Sequence, residues 1–300
     1  MRPAFSVIFL TTLSGAGQGL FIAVYAAQLA ARPPMGFLFA GGLLAAGLAA
    51  LGLFASLFHL GRLSAGWRAA SQWRTSWLSR EVIALPLFVV SSFLYGVNGS
   101  PLLGAIALAV CVALFVCTAM IYACLKFLQE WASPLTLLNF AALGTASGFT
   151  LAAALAALFA PTLVAPYSAA GIALTLLAFV ARAASLARNA KLKARSTLQS
   201  AIGVAHPRIA QRSQGFTAGS FNTREFFHGA SAAKLRAVKW SFLLLTFAAP
   251  VALLGAGLAL GSPAFLAVAF PVQYLGLLAE RWFFFAQANN PQNLYYQAIA

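Results

Sequence analysis

The sequence has no aspartate and only four glutamates, Glu81, Glu130, Glu225 and Glu280, against 19 lysines and arginines. Charged residues fill 8% of the 300 positions, where a soluble domain carries about a quarter. So few charges cannot clothe a water-exposed surface, which excludes a cytosolic enzyme and a secreted domain. Histidine is scarce (His59, His206, His228), and only His59 touches an apolar run. A haem held by paired histidines on facing spans is therefore not expected. Cys111, Cys117 and Cys124 share one apolar stretch without a CxxC spacing. They suit packing, so no iron–sulfur cluster, metal site or disulfide framework is expected in this chain. Mid-run ionisable residues are also missing, which disfavours a driven pump. Gln18, Gln28, Asn139, Gln273 and hydroxyl groups are the polar groups there, so a small-solute permease stays open.

What is present is apolar: 62% of residues are hydrophobic and mean hydropathy is +0.87. A membrane span needs about 20 apolar residues. Eight runs qualify, near 5–29, 36–60, 80–98, 101–125, 135–160, 164–186, 238–260 and 264–286. The first is too long for a signal-peptide core and fits a spanning helix. The expected fold is an all-α membrane protein, a polytopic bundle of eight transmembrane helices forming one integral membrane domain over 1–300. Short Gly/Pro joints at 98–101, 160–166 and 261–263 read as tight hairpins. Two connections are longer: an Arg/Trp loop at 61–79 and a basic loop at 187–237. Spans 1 and 5 share a small-residue pattern, Leu13-Ser14-Gly15-Ala16-Gly17 against Leu143-Gly144-Thr145-Ala146-Ser147, which leaves a four-plus-four duplication open.

Basic residues orient such a bundle, because loops rich in Lys and Arg stay in the cytoplasm. With eight spans, 18 of the 19 fall on the side of the termini and the longer loops, and only Arg32 on the other. Both termini are therefore expected in the cytoplasm. The net charge of +15 then reads as orientation and contact with membrane lipid, not as nucleic-acid binding. All six tryptophans and every glutamate and histidine collect on the same side.

The densest polar stretch is Phe58-His59-Leu60-Gly61-Arg62, then Trp67-Arg68, then Gln72-Trp73-Arg74-Thr75-Ser76-Trp77-Leu78-Ser79-Arg80-Glu81. His59 closes span 2 and Glu81 opens span 3, so antiparallel packing brings both to one membrane depth. An imidazole and a carboxylate beside an apolar bundle can bond the two oxygens of a quinone and exchange its protons. Arg62 and Arg80 can bias their charge, and Trp73 and Trp77 can stack on a ring. The bland alternative is an interfacial loop of headgroup-binding arginines and belt tryptophans. The second stretch holds His206, Arg208, Phe221, Arg224, Glu225 and His228 in a loop with four phenylalanines between 216 and 227. Solvated loops rarely carry such aromatics, so this loop folds onto the bundle, lies under a partner or rests on anionic lipid. Glu280-Arg281 reads as a local ion pair at the interface.

On the His-Leu-Gly-Arg to Trp-Leu-Ser-Arg-Glu block, the chain resembles the DmsC-type membrane-anchor subunit of dimethyl-sulfoxide-reductase-type molybdoenzymes. The eight-span plan agrees along the whole chain. Leu63-Ser64-Ala65-Gly66 departs from the family, which has Pro and an acid after Leu-Gly-Arg. The resemblance implies a haem-free anchor in a bacterial inner membrane. Its partners would be a four-cluster iron–sulfur subunit and a molybdopterin catalytic subunit. Quinone or menaquinone would be an exchangeable substrate, not a resident cofactor. His59 and Glu81 match the family's quinol-reactive pair. Arg68, Arg74, Arg208, Phe221, Arg224, Glu225 and His228 would be docking surface. The 219–228 block resembles anchors of the branch that includes sulfite-oxidising relatives, and either direction of electron flow stays open. A purely structural tether is the remaining alternative.

Overall fold

Serine and proline set where the helices begin. The side chains of Ser76, Ser100, Ser133 and Ser231 each accept a backbone N–H two or three residues on. Pro101 and Pro134 follow directly, where a missing N–H costs nothing. The computed structural model describes residues 1–59, 63–212 and 225–295, with the backbone alone at 59 and 63–65. Its long helices are α1 (Phe5–Ala30), α2 (Met35–Ser56), α3 (Trp77–Asn98), α4 (Pro101–Ala123), α5 (Pro134–Phe159) and α6 (Val164–Ala190). A short α7 (Leu198–Ile202) precedes α8 (Ala232–Leu260) and α9 (Pro263–Ala286). Eight helices are long and apolar enough to cross a membrane, as the hydropathy pattern predicts, and no strand occurs among the described residues.

The boundaries move for local reasons. The Ser76 cap starts α3 at Trp77, so residues 77–79 are helical rather than part of the loop. The Ser231 cap starts α8 six residues before 238, in a stretch whose lysines and arginine lower its hydropathy. α2 ends at Ser56, and a 3₁₀ turn, Leu57–His59, carries the chain out. Gly99 closes α3 in the left-handed conformation (φ 61°), which lets the backbone reverse within two residues.

α1 is the most enclosed span and packs against α2, α4, α5 and α9. α5 packs against α1, α6 and α9, so the bundle comprises α1–α4 and α5–α9 joined along the α1–α5 seam. The seam is close because it is built from glycine. A Cβ on Gly148 would overlap the Gly19 backbone, and one on Gly19 would overlap Gly144. These positions lie within or beside the shared small-residue pattern.

Midway along α8, residues Leu244–Ala248 form a π-helical turn. Such a turn frees a carbonyl, and Gln273 on α9 takes it: its Nε2 donates to Thr246 O and to Thr175 Oγ1, both at 3.2 Å. The extramembrane ends are knitted together. The Arg2 N–H donates to Glu225 O (2.8 Å), Asn293 Nδ2 to Phe226 O (3.0 Å), and the Tyr295 hydroxyl to Ala201 O (3.0 Å). The described part of the basic loop thus folds onto the chain itself.

Candidate functional site

Glu81 lies in the second turn of α3, 5% exposed. The Thr118 hydroxyl on α4 donates to its Oε1 at 2.5 Å. Among the described residues no lysine or arginine pairs with it. The α3–α4 contact therefore encloses a carboxyl group that has a hydroxyl partner and, among the described residues, no counter-charge. α2 packs along α3, and the turn carrying His59 leaves α2 at the end where Glu81 enters α3. The His59 side chain and the whole of Arg62 lie outside the described residues.

Arg80 does not turn toward Glu81. Its Nε donates to Trp73 O and its NH2 to Arg74 O, both at 2.8 Å, while its guanidinium stacks 4.3 Å from the Trp77 ring. One side chain thus ties the 73–77 corner to the first turn of α3. Trp73 is half exposed, with Arg74 stacked at 5.4 Å; Trp67 is more exposed, with Arg68 at 5.7 Å. Arg80, Trp73 and Trp77 therefore form one unit at the mouth of α3, beside Glu81 rather than bonded to it.

The proposed docking residues separate. Arg68, Arg74 and Arg208 are exposed. Glu225 is exposed too, and its backbone carbonyl is the group that receives Arg2. His228 is half-buried; its Nδ1 accepts from the Ala230 N–H (3.0 Å), and burial lowers its pKa below the ordinary histidine value, the chain's amino group adding to the effect. Phe221 and Arg224 lie outside the described residues. No cluster of three or more metal-ligating side chains occurs among the described residues.

Glu280 and Arg281 do form the ion pair that the sequence suggests, but it is buried and shared with Arg182 instead of lying at the interface. Glu280 is fully buried; its Oε1 lies 2.7 Å from Arg182 Nε on α6, and its Oε2 lies 2.7 Å from Arg281 Nε. These contacts are charge pairs set off the line of the N–H bonds, and Arg182 NH2 and Arg281 NH1 have no hydrogen-bond partner among the described residues. Aromatic faces take up the remaining positive charge: Arg281 stacks 4.0 Å from the Phe140 ring, and Arg182 lies 5.5 Å from Phe242. Arg182 had a signal in the sequence, since it interrupts the alanine-rich end of span 6. That its partner would be Glu280 had none, because tertiary packing joins α6 to α9.

An aromatic cluster stands between the two buried glutamates. Tyr122, one turn beyond Thr118 on α4, stacks on Phe140 at 5.5 Å and meets Trp131, Phe284 and Phe285 edge-on. Trp131 Nε1 donates to Phe284 O at 3.0 Å. Trp131 is therefore a core residue, not a belt residue at the interface.

The family pattern described as DMSO reductase anchor subunit (DmsC) matches residues 1–209, a range that contains Glu81 and ends before Glu280. A sulfite dehydrogenase subunit from Allochromatium vinosum is 50% identical over 325 aligned positions that cover all of both chains. With eight apolar helices and this match over more than two thirds of its length, the chain belongs to the DMSO reductase anchor subunit (DmsC) family of membrane proteins.

Proposed function

We propose that the chain is the quinone-reactive anchor of a three-subunit molybdopterin oxidoreductase. It would pass electrons between membrane quinone and a four-cluster iron–sulfur partner, itself holding neither haem nor cluster. The observation that carries this reading is Glu81, an enclosed carboxyl group with a hydroxyl partner and no described cation, at the end of the bundle where His59 leaves α2.

Reducing a quinone to a quinol takes two electrons and two protons. The electrons come from the iron–sulfur partner, and His59 and Glu81 each deliver a proton to one quinone oxygen. Both are recharged from the aqueous side, where the 61–79 loop lies. Arg62 and the Arg80–Trp77 stack orient the ring at the mouth of α3. The relative's name, a sulfite dehydrogenase subunit, favours electron flow toward quinone. In that direction a molybdopterin partner oxidises sulfite with water to sulfate, releasing two protons and two electrons. Oxidation of quinol for a sulfoxide-reducing partner is the same chemistry reversed.

The partners would dock on the side holding Arg68, Arg74 and Arg208, with Phe221, Arg224, Glu225 and His228 contributing from the second loop. The 18 basic residues on that side support a cytoplasmic placement of both termini in a bacterial inner membrane. A permease reading finds less support. Gln18 bonds Cys111 O across α1–α4, Asn139 bonds Ser185 across α5–α6, and Gln273 serves the π turn. Each is buried in a separate interface, so they line no common path.

The test is turnover of the purified complex. Glu81→Gln and His59→Ala should each lower quinone-linked turnover by about 100-fold or more, the scale of lost acid–base catalysis. Partner binding and activity with a soluble electron acceptor should persist. Full quinone-linked turnover in either variant would remove that residue from the site. A wild-type complex indifferent to quinone-site inhibitors would favour a structural tether.

A further inference from the structure

Beyond the ends of α4, α6 and α9 the chain encloses a cavity of about 660 Å³. That is within the range of roughly 300–1,000 Å³ that small-molecule sites occupy. The cavity is independent of the Glu81 region. Its walls are the loop after α4, the segment after α6 and the tail after α9, so it opens at the membrane boundary.

Its polar groups divide into two sets. Lys126 and Arg195 supply positive charge. The Lys126 side chain has no ion pair or hydrogen bond among the described residues; its backbone N–H donates to Cys124 O at 3.0 Å. Arg195 Nε faces the Gln129 side-chain amide, whose oxygen accepts from it at 2.8 Å when the amide is turned to suit its neighbours, and the end of the guanidinium fork has no hydrogen-bond partner among the described residues. The second set accepts. Glu130 Oε1 receives the Asn289 amide at 3.0 Å, and its second oxygen has no described partner. Asn293 Oδ1 is buried and has no hydrogen-bond partner among the described residues, while its amide nitrogen donates to Phe226 O. The Met1 amino group, bonded to Ala288 O, lies within electrostatic reach of Glu130. Burial lowers its pKa to about 6, and no ion pair between it and Glu130 occurs among the described residues. Half-exposed Phe127 adds an apolar edge.

An occupant must therefore carry an anion at one end and a charged hydrogen-bond donor at the other. It must also tolerate an apolar lip at the membrane boundary. An anionic glycerol headgroup supplies the first without the second charge. A trimethylammonium headgroup supplies the charge without an N–H. We infer that this cavity binds the headgroup of phosphatidylethanolamine, its phosphate against Lys126 and Arg195 and its ammonium against Glu130 and Asn293. Basic pockets at span ends are general sites for lipid phosphates, and the carboxylate sets the choice among headgroups.

The complex, purified through this chain and stripped of lipid in detergent, is offered single lipids and examined by native mass spectrometry. Wild type should retain phosphatidylethanolamine over phosphatidylglycerol and phosphatidylcholine by about fivefold, the worth of one modest ion pair. Glu130→Gln should erase that preference while keeping some lipid. Lys126→Ala with Arg195→Ala should cut retention of all three lipids about tenfold, the loss of a charge-assisted contact. Equal retention of the three lipids by wild type overturns the inference without recourse to any variant. So does a Glu130→Gln complex that still prefers ethanolamine. Displacement of the lipid by equimolar glycerophosphoethanolamine would assign the cavity to a soluble compound and overturn the lipid as its occupant.

Discussion

Glu81 and Glu280 are the two buried acids of this chain, and their surroundings are opposite. Glu280 sits between two guanidiniums at 2.7 Å, with aromatic faces behind both. Glu81 has a single hydroxyl. Both stand a turn or two inside helix ends on the same side of the bundle, and the Tyr122–Phe140 stack separates them. In a low-dielectric interior, an acid held between two cations is bound to them as part of one charge cluster. Among the described residues Glu81 has no such tie, which is what the proposed quinone chemistry requires of it.

The contrast breaks most visibly at Glu280. Glu280→Gln strands two buried arginines, a loss of about 3–5 kcal/mol for a broken buried pair. The expected outcome is a collapsed yield or a sharply lowered melting midpoint, read by thermal denaturation of the purified complex; a wild-type midpoint would refute the triad. The isosteric change at Glu81 should barely move that midpoint, because at most about 1 kcal/mol of hydrogen bonding is lost. Turnover and stability should therefore respond to the two substitutions in opposite order. Thr118→Val removes the Glu81 partner alone. It should cost about 1 kcal/mol or less in stability and alter the pH profile of quinone-linked turnover while the complex still assembles. An unchanged profile would mean that the hydroxyl does not tune the acid.

The smallest effect is expected at the extramembrane cap. Burial lowers both the Met1 amino group, from 8.0 to about 6, and His228, so the folded cap favours their neutral forms. A base whose folded pKa is depressed binds protons more readily when released. Cap order is thus complete above about 8 and weakens as pH falls toward 6 and below. Hydrogen-exchange protection at 225–230 and 288–293, taken relative to the intrinsic rate at each pH, should fall over that interval, whereas helices around Glu280 should stay protected. Uniform behaviour of cap and core would remove the distinction.

Much of this was legible in the residues. Length and hydropathy place all eight spans, because lipid demands long apolar helices and little else produces them. Glu81 stands out since it opens a span beside His59. Helix starts were less legible: the Ser76 and Ser231 caps act on hydrogen bonds that hydropathy does not register. The Glu280 triad escaped because a residue near a span end looks interfacial until the packing of α6 against its neighbours is known. Arg182, well inside its helix, was the one hint. Thr118 carried no signal, since hydroxyls in spans usually bond their own backbone, as Thr11 and Thr12 do.

The π turn at Leu244–Ala248 has a geometric consequence for α8. One residue more than an α-helical turn holds rotates everything upstream by about 100° relative to everything downstream. The basic half of α8 thereby meets α9 on its own face, with Lys234 over the Trp282 ring at 5.6 Å and Phe242 against Phe283 at 5.4 Å. Removing a single residue from that turn would swing the basic segment around the helix axis and carry Phe242 off Phe283 and Lys234 off Trp282, so the turn works as a phase adjuster that lets both ends of one rod meet α9.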